Sequence, residues 1–239
     1  MVVNGARGVD RSALTFAVIG GVLIAIATVM IWGARFSLHK NSYVSGLGST
    51  GEVTAPVFNA ALLMVAVGGL SLAISMRRAG VAGGVAGGAV IAPWVLIAAS
   101  SVCFFTASQV TCTYECPIPG SAAFTVQDAV HIIVAVLGFA LACIAMGVAA
   151  LRSPVRIVRA GSWTAGGLVA LVAGAGGLLS LAEIGVQVGS WLEFVAMTVA
   201  LAWLVWYGFA EVLAPEQSAR GRAPVLSVAR RPAVQLVDQ

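Results

Sequence analysis

Six long apolar runs alternate with short polar ones along this chain: Ala13 to Gly33, Val57 to Met76, Val81 to Phe105, Val130 to Leu151, Ser162 to Leu181 and Trp191 to Leu213. A helix of about twenty apolar residues, rising ~1.5 Å per residue, crosses a hydrocarbon core of ~30 Å. In lipid a spanning backbone must satisfy its own hydrogen bonds, and a helix does so within one segment. The pattern therefore predicts an all-α polytopic membrane protein, a bundle of six transmembrane helices. It divides the chain into an N-terminal segment 1–12, a transmembrane domain 13–213 and a flexible tail 214–239. The tail mixes Pro, Ala, Ser and Arg without a sustained period.

Charge gives the bundle a direction. Of the 13 Lys and Arg, only Arg35 and Lys40 fall outside one set of alternate connections. The others are Arg7, Arg11, Arg77, Arg78, Arg152, Arg156, Arg159, Arg220, Arg222, Arg230 and Arg231. Cationic loops resist translocation, so this side is expected to be cytoplasmic, with both termini inside and the protein multi-pass in the plasma membrane. Charged residues are only 9% of the chain and mean hydropathy is +1.00. The net charge of +4 thus reads as a topogenic signal with weak attraction to anionic lipid, not as a nucleic-acid footprint. The first run is longer than a signal-peptide core and is expected to stay as an anchor.

The third run opens on Gly80, Gly83, Gly84, Gly87 and Gly88, and the fifth carries Gly166, Ala170, Gly174, Gly176 and Gly177. Helices in lipid gain nothing by hiding apolar area from each other, so small residues that let backbones close in decide where they meet. The third and fifth helices are therefore expected to be central. Pro93, inside the third run, lacks an N–H and predicts a kink. These glycines lie within apolar helices rather than between a strand and a helix, which argues against a phosphate cradle. The two halves share no repeat of the transporter kind.

Ionisable residues are nearly absent at mid-membrane depth, which disfavours a proton relay or ion path. With only His39 and His131, paired haem ligation fails too, and no cofactor is expected. Polar material collects at the outer helix ends instead. The first outer loop, 35–56, holds Tyr43, Ser45, Gly46, Gly48 and Glu52, and Asn59 begins the second helix. The second, 106–124, holds Cys112, Glu115 and Cys116; Gln127, Asp128 and His131 then open the fourth helix on one face. Glu183, Gln187, Trp191 and Glu193 surround the start of the sixth. Two readings stand side by side: convergence on one outward-facing pocket, or loops that are polar because they meet water.

Cys112 and Cys116 are a candidate short-loop disulfide in an oxidising compartment. Metal binding by the same pair is set aside, because no second pair or His at ligand spacing completes a tetrahedral set. Cys103 and Cys143 read as small packing residues within spans. A metal-dependent hydrolase would want more ligands than His131, Asp128, Glu183 and Glu193 supply. A Ser45–His131–Asp128 triad can be drawn, but Ser45 sits in no nucleophile-elbow motif.

The stretch Tyr43-Val44-Ser45-Gly46-Leu47-Gly48, then Ala55-Pro56-Val57-Phe58-Asn59, resembles the signature of the DUF998 family, six-span membrane proteins of bacteria and archaea. So do His131 to Phe139, where a Gly-Phe pair follows the opening His, and Trp191-Leu192-Glu193 with Trp203 further in. The resemblance covers most of residues 13–213. It implies the six-span architecture and a shared outer polar layer, and no particular activity. Gly46 stands where the family usually has an acidic residue and Phe194 where it often has a basic one, which weighs against a salt-bridged outer site. The Cys112-to-Cys116 loop is peculiar to this branch. The first loop is more loosely similar to the Frag1/DRAM/Sfk1 membrane proteins, an analogy toward lipid-related or regulatory work.

The expected role is to bind a membrane lipid, an amphiphile or a partner membrane protein at the outer face. Ser45 and Asn59 would supply hydrogen bonds, His131 would be positioned by Asp128, and Glu193 would face them from the sixth helix. One alternative is a membrane-embedded, hydrolase-like enzyme acting on lipid or exported substrate with these residues. The other is a small-solute permease lined by glycine backbones, Ser71 and Ser180.

Overall fold

The computed structural model describes residues 10–38, 40, 42–80, 91–182 and 184–213. Its helices are α1 (Arg11–Ser37), α2 (Ala55–Arg78), α3 (Pro93–Gln109), α4 (Val126–Arg152), α5 (Arg156–Leu181) and α6 (Val186–Leu213). No strand occurs among the described residues. All but α3 are long and apolar enough to cross a bilayer. The 17 residues of α3 span about 26 Å at the α-helical rise. Large apolar side chains cover the outside of the bundle; Val29, Leu171 and Leu178 are 72%, 73% and 70% exposed. Such a surface would drive association in water and is at ease among acyl chains. The chain is a multi-pass integral membrane protein.

Capping chemistry explains where the helices begin. Asp10 accepts the Ser12 N–H at 2.9 Å at the start of α1. Pro56 and Pro93 lie in the first turns of α2 and α3, where a missing N–H has no helical partner to lose. Pro93 therefore starts a helix and does not kink one, contrary to the expectation above. At α4, Thr125 and Asp128 form a reciprocal capping box. That box starts the helix at Val126, ahead of the apolar run, so Asp128 and His131 belong to its opening turns. The tight link from α5 to α6 uses Gly185 at φ +61°, a conformation that costs glycine nothing.

Consecutive helices pack side by side, α6 returns to α1, and α2 touches α6 across the ring. The closest approach is between α1 and α2. A Cβ on Gly20 would stand 2.6 Å from the Gly68 carbonyl oxygen, and one on Gly68 2.9 Å from that of Gly20. Gly208 of α6 similarly makes room for the Leu72 side chain. The helices at the centre are thus α2 and α6, each with neighbours on several sides, and α5 is the least buried of the five long spans. The predicted centrality of the fifth helix is corrected. Gly166 and Gly176 do meet α4 and α6, but Gly167, Gly174 and Gly177 face open space. Gly83, Gly84, Gly87 and Gly88 lie outside the described residues, as does the tail.

Ser75 donates to the Ala13 carbonyl at 2.6 Å, and Gly208 packs on Met76, so the start of α1 and the end of α6 share one end of the bundle with Arg77 and Arg78. This is the arginine end. There Arg77 lies over Trp94 and Arg78 over Phe16. The opposite, polar end carries the connections 38–54, 110–125 and 182–185.

Candidate functional site

The segment 110–113 is clasped from both sides at the polar end. The opening turns of α4 hold it on one flank: His131 Nδ1 lies 2.7 Å from the Val110 oxygen, and Gln127 donates to the Thr111 oxygen at 2.6 Å. Asp128 accepts the Thr113 N–H at 2.7 Å and its hydroxyl at 3.0 Å. On the other flank Thr50 donates its N–H to the Cys112 oxygen at 2.9 Å and shares a hydroxyl contact with Thr111. Cys112 and Cys116 are joined by a disulfide, and their Sγ atoms lie near His131.

The first loop is in turn fixed to α2 and α6. A single 3-10 turn, Ser45–Gly48, buries Gly46, Leu47 and Gly48. Asn59 donates to the Gly48 oxygen at 3.1 Å, and Thr54 to Leu47 at 2.8 Å. From α6, Glu193 Oε2 accepts the Val44 N–H at 3.0 Å and Ser190 donates to the Ser42 oxygen at 2.6 Å. A continuous polar layer results, running from Glu193 through Val44 and Ser45 to Cys112, then through Thr113 to Asp128.

A family profile described as "Protein of unknown function (DUF998)" matches residues 17–210, most of the chain and all of this layer. The chain belongs to the DUF998 family. No curated protein and no solved structure matches it.

In this DUF998 member the five residues singled out from the sequence fall in the same layer, in different roles. Ser45 contributes its backbone carbonyl, which the Cys112 sulfur approaches at 3.8 Å. Asp128 is fully buried and spends both oxygens on Thr113 and Thr125. It does not position His131; the Val110 carbonyl does. Asp128 is committed to its cap and to the loop, so the drawn triad has neither its Asp–His nor its His–Ser hydrogen bond. Asn59 and Glu193 each tie the first loop to a helix and keep one oxygen without a hydrogen bond among the described residues. Glu183 lies outside the described residues.

Two cations, Lys40 and Arg35, stand among the carboxylates of this end. Lys40 pairs with Glu52 at 2.6 Å and reaches Glu115 at 3.8 Å. The hydrogen bond to Glu52 holds the ammonium above its ordinary range, and the same bond holds the Glu52 carboxyl below its own. Arg35 is buried, with its guanidinium carbon 5.0 Å from the Trp191 ring centre and 5.6 Å from that of Phe194. Trp32 extends this aromatic group to Phe36 and donates to Thr198 at 3.1 Å.

Among the described residues, open depressions elsewhere include one of about 410 Å³ beside Ile74, Arg77 and Arg78 and one of about 110 Å³ in an apolar groove between α2 and α3. Sequence reasoning passed over Thr113, Ser190 and Arg35. The spacing Thr125-x-x-Asp128 did carry a readable signal, that of a capping box. It also passed over Tyr207 and Glu211, side chains that interact at the arginine end with Arg152 nearby.

Proposed function

We propose that this DUF998 protein spans the plasma membrane six times with both termini in the cytoplasm, and that its outward-facing polar end binds the headgroup of a lipid or similar amphiphile. The reading assigns it no catalysis. Four buried polar atoms without a hydrogen-bond partner among the described residues carry the proposal: Arg35 Nε, Tyr43 Oη, Asn59 Oδ1 and Ser121 Oγ, all at the polar end. Buried polar groups left unpaired are rare and call for an occupant. Arg35 and Tyr43 offer N–H and O–H donors and Asn59 offers an acceptor, while Glu193 uses Oε2 alone, for Val44, among the described residues. Donors beside acceptors suit a phosphoester that also carries a hydroxyl or amine. Trp191 and the apolar helix faces supply the surface for its chains.

Ser45 and Asn59 belong to the binding loop in this reading, while Asp128 and His131 hold that loop in place. Phe194 replaces the basic residue of the family pattern, but Arg35 stacked on its ring restores a cation at that position.

The test is mass spectrometry of amphiphiles retained by the full chain purified in mild detergent. The wild type is expected to retain one headgroup class well above its share of the membrane. Arg35→Gln and Glu193→Gln should lower that retention about tenfold or more, since a hydrogen bond to a charged group contributes ~1.5–3 kcal/mol. Retained lipid matching the bulk membrane, or unchanged in both variants, would refute the proposal.

A further inference from the structure

The headgroup proposal makes no use of the group formed by Cys112, Cys116 and His131. One ligand atom from each of these side chains lies within 4.8 Å of the others. Along the chain His131 is far from both cysteines; the clasp between α4 and segment 110–113 brings them together. Cys112 is fully buried and His131 is 4% exposed.

The hydrogen bond at His131 sets the state of its ring. A backbone carbonyl only accepts, so the Nδ1 facing Val110 carries a proton, and in the neutral ring the lone pair is then on Nε2. Histidines that ligate metals are held in this way, with the remote ring N–H on a carbonyl or carboxylate that fixes tautomer and orientation. Glu115 and Cys116 lie at φ 62° and 55°, in the left-handed region that side-chain-bearing residues rarely occupy. These two residues hold the loop in a strained backbone conformation.

We propose that the reduced Cys112–Cys116 pair and His131 bind a thiophilic d10 cation, zinc(II) or copper(I), so that the disulfide and the metal-bound form exclude each other. Thiolates are the ligands, and a disulfide sulfur is not one. A dithiol reductant supplies the change. One of its thiolates attacks Cys116, the more exposed sulfur, and Cys112 leaves as a thiolate. The second reductant thiolate then displaces Cys116, leaving the reductant oxidised to its own disulfide and two electrons and two protons on the cysteine pair. Metal binding forms two sulfur bonds and one imidazole bond and releases those two protons.

Two thiolates with one imidazole are soft ligands suited to copper(I) or zinc. Zinc would keep a fourth position for water or an exogenous ligand. Among the described residues the nearby carboxylates do not complete the set: Asp128 is held by Thr113 and Thr125, and Glu115 is exposed beside Lys40.

The experiment uses the full chain in detergent, reduced with a phosphine, desalted without oxygen, and titrated with Co²⁺ as a spectroscopic substitute for zinc. A parallel titration supplies Cu⁺ in competition with a chromogenic chelator. One equivalent per chain is expected after reduction and none before it, and Cys103→Ala with Cys143→Ala should bind as the wild type does. A thiolate-to-cobalt charge-transfer band assigns a zinc-type site, and copper capture without that band assigns a copper(I) site. Binding should vanish in Cys116→Ser and weaken at least about tenfold in His131→Asn. The Asn amide can still donate to the Val110 carbonyl, which keeps the clasp. Failure of the reduced protein to bind either metal, or binding indifferent to Cys116→Ser or His131→Asn, would overturn the proposal.

Discussion

Asp128→Ala is expected to lower stability by about 2–4 kcal/mol, the largest effect of any single substitution at the polar end. Its carboxylate is fully buried and serves two structures at once. It completes the capping box with Thr125 and anchors the 110–113 segment through Thr113. Losing the capping box costs about 1 kcal/mol, and the part-buried Thr113 N–H left without its acceptor adds about 1–3 kcal/mol. Asp128→Asn keeps one acceptor and should cost less than half as much. Denaturant unfolding in detergent micelles measures both. The 110–125 connection of the Ala variant should also become sensitive to protease before the helices unfold. A wild-type transition in Asp128→Ala would show that the clasp contributes nothing to the folded state.

Gly20→Ala should be the most damaging substitution between helices. The added Cβ would meet the Gly68 carbonyl oxygen at 2.6 Å and Leu72 Cγ at 2.8 Å. The first of these is backbone and cannot rotate away, and Leu72 is itself fully buried. α1 and α2 must therefore separate, at a cost of about 1–3 kcal/mol or more. Gly167→Ala is the control, since nothing lies within 4 Å of its added carbon. It should leave stability unchanged or raise it by up to ~1 kcal/mol through helix propensity. Thermal unfolding of the two variants side by side tests the packing directly. Equal behaviour would mean that the α1–α2 contact is looser than described.

The helices were legible because lipid imposes a length and a composition that no soluble helix needs, and α1, α2, α4, α5 and α6 satisfy both. Their packing was less so. Glycine spacing marks where a helix is able to approach a neighbour, but not whether a neighbour is there. Gly166 has Met146 beside it and Gly174 has nothing, although both belong to one ridge. Gly20 and Gly68 stand in runs no richer in glycine than others, and only their opposition across α1 and α2 makes them close.

The candidate site divides along the same line. That polar residues gather at one end could be read from their positions at the helix ends. Their partners could not be read, because most are backbone atoms of distant loops: Val44 for Glu193, Val110 for His131, Gly48 for Asn59. An i, i+3 spacing suggested that Asp128 faces His131. The capping requirement of α4 overrode it, since an acidic side chain three residues after Thr125 turns back to the helix start. Cys116 and His131 are likewise brought together by tertiary structure alone, which is why sequence spacing set metal aside.

The central claim is that the polar layer faces out of the cell while the arginine end and both termini face in. Val53→Cys, at an 88% exposed position in the first loop, can be labelled with a membrane-impermeant maleimide in intact cells carrying epitope tags at Met1 and Gln239. The account predicts that the introduced thiol reacts before lysis and that both tags become accessible only afterwards. Tags reached from outside intact cells, or a thiol at that position that reacts only after lysis, would contradict it.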